Sequence, residues 1–528
     1  MASEKARAFS IEQLLRQESF PHQVTALTLL ETHISWVILT GEFAYKIKKP
    51  VEFDFVDYST LEFRRQCCFR ELDLNRRFAP DLYLDVLPVC VVDGNLVISD
   101  VAADPEATVE SDQAVEYAVR MREFSQDAIV AARLQGAELS SESVEQFGCY
   151  VAEFHDSIES AIPTLDFVQP ELVIADSLEN FEVLRDAFDD EARNSQIERL
   201  EQWTRQQAAR LQPAFARRLN AGLVRRCHGD LHLKNIIQME GKLLAFDGIE
   251  FNEAFQCIDV LSEIAFPVMD FAARGRADLG WRLLNSYLEC TSDYRDLDVL
   301  LFYLVYRAMV RAKVTWLNPA NRNRPRGNEG NLDSEGVDLA PDANAGPWDK
   351  YFQAGMLFSY GLKPKLSISF GFSGSGKSCL AMEMVAREGG VRIRSDVVRH
   401  QLAREFKIRN EYSSDMTDWV YSRLLEMARS AIEAGFPVVI DATFLASRHR
   451  ALFQALAREL DVDYQIIHCD APFEELCRRI RERGPDPSEA DIDVLKMQME
   501  THDPLTTEEL QFVFSPANPQ LEPGGSGC

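Results

Sequence analysis

Residues 371–378 read Gly371-Phe372-Ser373-Gly374-Ser375-Gly376-Lys377-Ser378. This GxxxxGK[ST] segment lies between the apolar run Leu366–Phe370 and a stretch, 379–388, expected to be helical. A loop around phosphates must bring backbone N–H groups against the oxygens, and Gly371, Gly374 and Gly376 allow both the close approach and positive φ. Ser373 and Ser375 contribute their amides to the same cradle. Lys377 would reach the β- and γ-phosphates of ATP, and Ser378 would ligate Mg²⁺. Downstream, Phe436-Pro437-Val438-Val439-Ile440 is a buried-strand pattern that ends in Asp441, placing an acid at the strand edge that faces a nucleotide. Asp441 is therefore expected as a second holder of Mg²⁺.

A second set of acids and amides stands in His228-Gly229-Asp230-Leu231-His232-Leu233-Lys234-Asn235, followed by the strand pattern Lys242–Phe246 and Asp247. It resembles the catalytic loop of aminoglycoside and choline kinases. His228, Asp230, Asn235 and Asp247 match the protein-kinase pattern HxDxxxxN and its strand-end acid residue by residue. The resemblance implies that Asp230 orients and deprotonates an acceptor hydroxyl, while Asn235 and Asp247 hold Mg²⁺ with hard oxygen ligands. Such a site also needs a strand-borne lysine and a helix-borne glutamate to grip the α- and β-phosphates. In Ala44-Tyr45-Lys46-Ile47-Lys48 the alternate residues share a face, and Ala44-Tyr45-Lys46 echoes the AxK of a kinase strand. Lys46 with Glu71 fills this requirement, with Lys48 as the alternative lysine. No GxGxxG precedes Lys46, and Gly248-Ile249-Glu250 stands where a kinase has Phe-Gly, so neither the glycine-rich cover nor the DFG switch carries over.

In the C-terminal part, Ser395-Asp396-Val397-Val398-Arg399 follows the strand Val391–Arg394 and places an acid and an arginine about one helical turn apart. This arrangement resembles small-molecule kinases of the gluconate-kinase and zeta-toxin type. The likeness implies that Asp396 accepts a substrate hydroxyl proton and that Arg399 positions the substrate; a surface ion pair is the alternative. Arg479 and Arg483, four apart in Cys477–Arg483, look like the arginines of an adenylate-kinase-like lid, or equally a solvated basic helix.

These residues require two kinds of scaffold. Strand patterns at 36–41, 44–48, 82–89, 95–98 and 115–121 predict a strand-rich lobe over about 1–122, with a helix from 60 to 78 carrying Glu71 and a further helical reading for 10–34. Helical periodicity then dominates, giving a helical lobe over about 123–317. The expected fold class is two domains: an α+β bilobal protein-kinase-like fold at 1–317, then an α/β P-loop fold with a parallel sheet at 348–516. Residues 318–347, rich in Asn, Gly, Pro and Asp, read as a flexible linker or insertion, and 517–528 as a disordered tail.

The whole chain has 528 residues, too many for one core, with 46% hydrophobic and 27% charged residues. A formal net charge of −28 argues against nucleic acid or anionic lipid as the main partner. The eleven cysteines form no CxxC pair, so no zinc site is expected. No segment approaches the apolar length of a membrane helix, and a cytoplasmic location is expected. The order of modules resembles a bacterial family of fused proteins with an aminoglycoside-phosphotransferase-like domain and a C-terminal AAA-type ATP-binding domain; AYKIKKPVEFDFVDYSTLEFRR, HGDLHLKNI and VVIDATFLASRHR carry the likeness. Expected partners are a nucleotide and a hydroxyl acceptor that the sequence does not identify. Competing readings are one active kinase joined to a regulatory nucleotide-binding domain, or an ATPase switch acting on a partner protein.

Overall fold

The computed structural model describes residues 9–514 apart from 54–55, 107–108, 110–112, 137–138, 186–190, 319–345, 408–413 and 483–489. The tail expected at 517–528, and all but the edges of the linker expected at 318–347, lie outside the described residues. The chain divides into two compact units: Met1–Leu139, Ser157–Val168 and Gly222–Glu263 form one, and Ser140–Asp156, Gln169–Ala221 and Ile264–Cys528 the other.

In the first unit β1 (Thr28–Glu31), β2 (Ser35–Leu39), β3 (Phe43–Lys48), β4 (Tyr83–Val92), β5 (Asn95–Ile98) and β6 (Ala114–Arg122) make one antiparallel sheet in the order β1-β2-β3-β6-β4-β5. Period-two alternation divides β3 between two cores. Tyr45 and Ile47 pack with Ile11, Leu14, Ile38, Leu87 and Ala118 on one face. Ala44 faces the other way, toward Cys68 and Leu72 of α1 (Leu61–Arg76). Lys46 and Lys48 follow Ala44 in phase, so the pleat sends both lysines toward α1. That helix starts at Thr60, whose hydroxyl accepts from Phe63 N–H at 3.2 Å.

The helical reading of 10–34 is corrected: short 3₁₀ turns at Ile11–Leu14 and Gln17–Ser19 lead into β1. Pro21 interrupts any helix there, and the β-branched Thr25 and Thr28 favour the extended chain. Farther on, β7 (Ile236–Met239) and β8 (Lys242–Ala245) form a tight hairpin through Glu240 and Gly241, both at positive φ.

The second unit contains α2 (Ser141–Ser157, through Asp156), α3 (Pro170–Arg185), α4 (Glu191–Asn220), most of α5 (Val260–Ala273), α6 (Ala277–Thr291) and α7 (Asp298–Leu317). The helix that opens the region expected at 348–516, α8 (Asp349–Ser359), packs on α7 and α4. Beyond it, β9 (Lys365–Phe370), β10 (Val391–Arg394), β11 (Val438–Asp441), β12 (Asp463–His468) and β13 (Val513–Phe514) pair in parallel in the order β10-β11-β9-β12-β13. β10 and β11 are buried throughout and β9 over all but its first residue, as parallel strands covered by helices must be. Helices α9 (Lys377–Glu388), α10 (Ser395–Phe406), α11 (Ser414–Glu433), α12 (Ser447–Glu459), α13 (Phe473–Glu482) and α14 (Ile492–Thr501) surround this sheet, with one more turn of helix at Thr507–Leu510. The chain is thus mixed α/β with a parallel C-terminal sheet.

Candidate functional site

Two groups of the expected residues assemble, one in each unit. In the first, the β7–β8 hairpin brings Asn235 and Asp247 to the same end: Phe246 N–H donates to Asn235 O at 3.0 Å. Asn235 Nδ2 donates to the Asp230 carboxylate at 3.1 Å and to its backbone carbonyl at 3.0 Å. With its nitrogen so engaged, the Asn235 side chain offers its carbonyl oxygen to a cation. His228 is fully buried and joined through Nε2 to Phe246 O at 2.9 Å. Burial pulls its imidazole below the ordinary value, against the upward pull of the Phe246 carbonyl, Asp230 and Asp247. His228 therefore braces the loop as a neutral group. Glu263 accepts the backbone N–H groups of His228 and Gly229. The Asp247 N–H donates to the Tyr83 hydroxyl at 3.0 Å and Gly248 N–H to Asn75 Oδ1 at 2.8 Å, which pins Asp247 at a φ of 62°.

Both candidate lysines are engaged, and unequally. Lys46 Nζ donates to Glu71 Oε1 at 2.7 Å and to Asp247 Oδ1, with its side chain 12% exposed. Lys48, 1% exposed, donates to Glu71 Oε2 at 2.8 Å, to the Tyr58 hydroxyl at 3.2 Å and to Glu250. Glu71 is fully buried; burial alone would raise its pKa, but the ammonium groups of Lys46 and Lys48 hold it at about 2. For each lysine burial works against the charge, yet the facing carboxylates, Asp247 and Glu71 for Lys46, Glu250 and Glu71 for Lys48, raise it well above the ordinary value. Lys46 thus touches the expected metal-holding acid and keeps solvent access. Lys48 closes a buried network through Glu250, which the sequence does not reveal as a partner.

In the second unit, Gly371, Gly374 and Gly376 all take positive φ, of 157°, 81° and 88°. A Cβ on Gly371 would stand 2.2 Å from the Cys469 carbonyl oxygen and 2.9 Å from Ser375 Oγ. Lys377, at the first turn of α9, folds back so that Nζ donates to Phe372 O at 2.7 Å and lies 3.4 Å from Ser375 Oγ. Arg479 reaches the same loop: its Nη1 lies 3.5 Å from Gly374 O while its Nε donates to Glu475 at 2.7 Å. Arg483 lies outside the described residues. Gln498 of α14, absent from the sequence expectation, accepts the Ser373 N–H and donates to Ser373 Oγ, both at 3.0 Å. No short motif marks it, because it arrives from a distant helix.

Parallel pairing aligns Arg394 at the end of β10 with Asp441 at the end of β11. Asp396 and Arg399 therefore begin α10 at the same sheet edge as Asp441, with Arg399 buried. Tyr421 lies within electrostatic reach of both, and its hydroxyl accepts the Phe444 N–H at 3.1 Å. It stacks on His449 with ring centroids 3.8 Å apart. Asp441 Oδ2 is buried and accepts no hydrogen bond among the described residues; Arg394 Nε stands 3.5 Å from it. An unsatisfied carboxylate oxygen at the end of β11, the strand paired with the one that leads into the P-loop, suits a small hard cation, so the residues present fit Mg²⁺.

A family model described as an AAA domain matches residues 366–505. Uncharacterized proteins of Mycobacterium tuberculosis H37Rv and Mycobacterium bovis are each 27% identical over 474 residues, covering 88% of this chain and 88% of theirs. Among solved structures, the Mycobacterium tuberculosis APS kinase in complex with AMPPNP and APS is 25% identical over 23% of this chain and 70% of its own, with a TM-score of 0.21. A choline/ethanolamine kinase family protein from Mesorhizobium loti is 12% identical over 63% of this chain and 87% of its own, with a TM-score of 0.35. The AAA match runs from the strand before the P-loop to just past α14, so the P-loop, Asp396, Asp441, Arg479 and Gln498 all fall within it.

Proposed function

We propose that the chain is an ATP-dependent phosphotransferase with two Mg-ATP centres, each passing the γ-phosphoryl group to a hydroxyl acceptor. The observation that carries the reading is the P-loop arrangement: three glycines at positive φ, Lys377 curled over the loop, and an unsatisfied Asp441 oxygen at the adjoining strand end. Bound Mg²⁺ would neutralise the phosphate oxygens and orient the nucleotide. In the second unit Lys377 would turn from Phe372 O to the β- and γ-phosphates, Ser378 and Asp441 would hold the metal, and Arg479 covers the loop. Asp396 accepts the acceptor's proton beside Arg399. In the first unit Lys46, anchored by Glu71, exchanges Asp247 for the α- and β-phosphates. Asn235 and Asp247 would hold the metal, and Asp230 removes the acceptor's hydroxyl proton. The Asn235 amide fixes the Asp230 carboxylate in place.

ATP turnover and label transfer from γ-labelled ATP to a metabolite extract test this reading in wild type, Asp230→Asn, Lys377→Ala and the double variant. Each single variant is expected to remove one component of turnover, with the Asp230→Asn component reduced about 10²- to 10⁴-fold, and the double variant to remove both. Unchanged turnover in both single variants refutes the two-centre reading. Label appearing only as inorganic phosphate, whatever the extract, favours a switch over a transferase.

A further inference from the structure

The parallel sheet of the second unit begins with β10, an edge strand, and α6 covers that edge. Asn285 of α6 accepts the Arg392 N–H at 2.6 Å and donates to Gly390 O at 3.0 Å, standing in for a neighbouring strand. One turn on, Glu289 engages two buried arginines that alternate along β10 and so share a face. Arg392 donates to it from Nε at 2.8 Å and approaches it from Nη2 at 2.6 Å, while Arg394 Nη1 lies 3.7 Å from its other oxygen. Each arginine also touches the P-loop centre: Arg392 Nη1 donates to Ser378 O at 2.9 Å, and Arg394 Nε lies 3.5 Å from Asp441 Oδ2.

We infer that Glu289 is a positioning residue for the P-loop centre, holding Arg394 short of a hydrogen bond to Asp441 so that the carboxylate stays open to Mg²⁺. The inference rests on the reading of this centre as an Mg-ATP site. Its physical basis is competition: Asp441 and Glu289 both ion-pair with Arg394. A buried guanidinium that loses one anion tightens on the other. With Glu289 neutralised, Arg394 closes onto Asp441 Oδ2 and competes with the metal. The expected signature is weakened metal dependence at an intact fold.

The test uses the full chain carrying Asp230→Asn, so that ATP turnover reports the P-loop centre, titrated with free Mg²⁺ at fixed ATP. Glu289→Gln is expected to raise the half-saturating Mg²⁺ concentration on the order of tenfold. Adding Arg394→Met to Glu289→Gln, which removes the competing cation, is expected to restore it. Asn285→Ala loosens the same helix–strand contact without touching either arginine side chain and is expected to leave the Mg²⁺ titration unmoved. The inference is overturned if Glu289→Gln titrates as the parent, if Asn285→Ala shifts the curve equally, or if Arg394→Met brings no recovery. Turnover in the Asp230→Asn chain that survives Lys377→Ala overturns the Mg-ATP reading of the centre itself, and the inference with it.

Discussion

Lys46 and Lys48 stand two residues apart on β3 and share the two oxygens of Glu71, yet they face different consequences on substitution. Lys48 is buried among Glu71, Glu250 and Tyr58, so Lys48→Met keeps the aliphatic stem and leaves two buried carboxylates short of a cation. Removing one member of such a group costs about 3–5 kcal/mol, expected as that loss of opening free energy in amide exchange of β3 and α1. Lys46→Met is expected to cost less stability, because Lys46 is the more exposed of the two, and to remove the first unit's ATP turnover. Glu71 gives the pH dependence its sign. Its carboxylate is held at about 2 in the fold against an ordinary value of 4.5, so its ionic contribution is fully present above pH about 4.5 and is lost as pH falls toward 2. The gap in thermal midpoint between wild type and Glu71→Gln is therefore expected to narrow across that window. A gap that stays constant or widens on acidification contradicts the assignment.

Elements differ in how far their residues disclose them. The strand–loop–helix around Gly371–Ser378 is readable because its backbone demands glycine at fixed spacing, and Asn235 and Asp247 because they match a kinase-like catalytic loop and its strand-end acid; the match does not by itself disclose the hairpin that joins them. Lys46 can be paired with Glu71 on the kinase-like echo of Ala44-Tyr45-Lys46, since the phase of β3 alone leaves Lys48 on the same face. Glu250, three residues after Asp247, is legible beside the metal-holding acid, with a structural role favoured, but not as the partner of Lys48; Gln498, Tyr421 and Glu289 are not readable as site neighbours, since each reaches its place through tertiary packing that no local spacing encodes. The 10–34 segment misled because apolar spacing at Ile11, Leu14 and Leu15 suits a helix or a pair of 3₁₀ turns equally, and sheet pairing at β1 decides against the helix. The glycines of the P-loop can be ranked by what surrounds them. An added Cβ at Gly371 meets a backbone carbonyl at 2.2 Å, whereas at Gly376 it meets only the end of Arg479 at 3.4 Å. Both substitutions carry a left-handed penalty of about 1–2 kcal/mol, but only at Gly371 must the main chain move. Gly371→Ala is expected to lower the thermal midpoint of the second unit well beyond Gly376→Ala, a ranking that differential scanning calorimetry reads directly. Equal shifts would mean that the loop backbone is more adaptable than its contacts imply.

At the scale of the whole molecule, the parallel sheet does not end at its own strands. Besides the side chain of Asn285 on β10, Trp281 of α6 lies beneath Gly389, where a Cβ would come within 3.2 Å of the indole, and its ring meets Phe436 edge-on at 6.5 Å. α6 also packs along α9, the helix that carries Lys377 and Ser378. Cutting the chain just before β9 therefore strips the edge strand of its pairing surrogate, uncovers the apolar seat of Trp281 and leaves Arg392 and Arg394 without Glu289. An uncovered edge strand next to apolar surface is a template for association. A fragment spanning 361–514 is expected to self-associate in size-exclusion chromatography and to bind ATP more weakly than the intact chain, although it retains the whole AAA match. Extending the fragment upstream to include α6 through α8 is expected to recover a monodisperse species with tighter ATP binding, because that addition restores the cover on β10 and the Glu289 contact together. A monodisperse short fragment with the affinity of the full chain would mean that the sheet is self-sufficient and that α6 only leans on it.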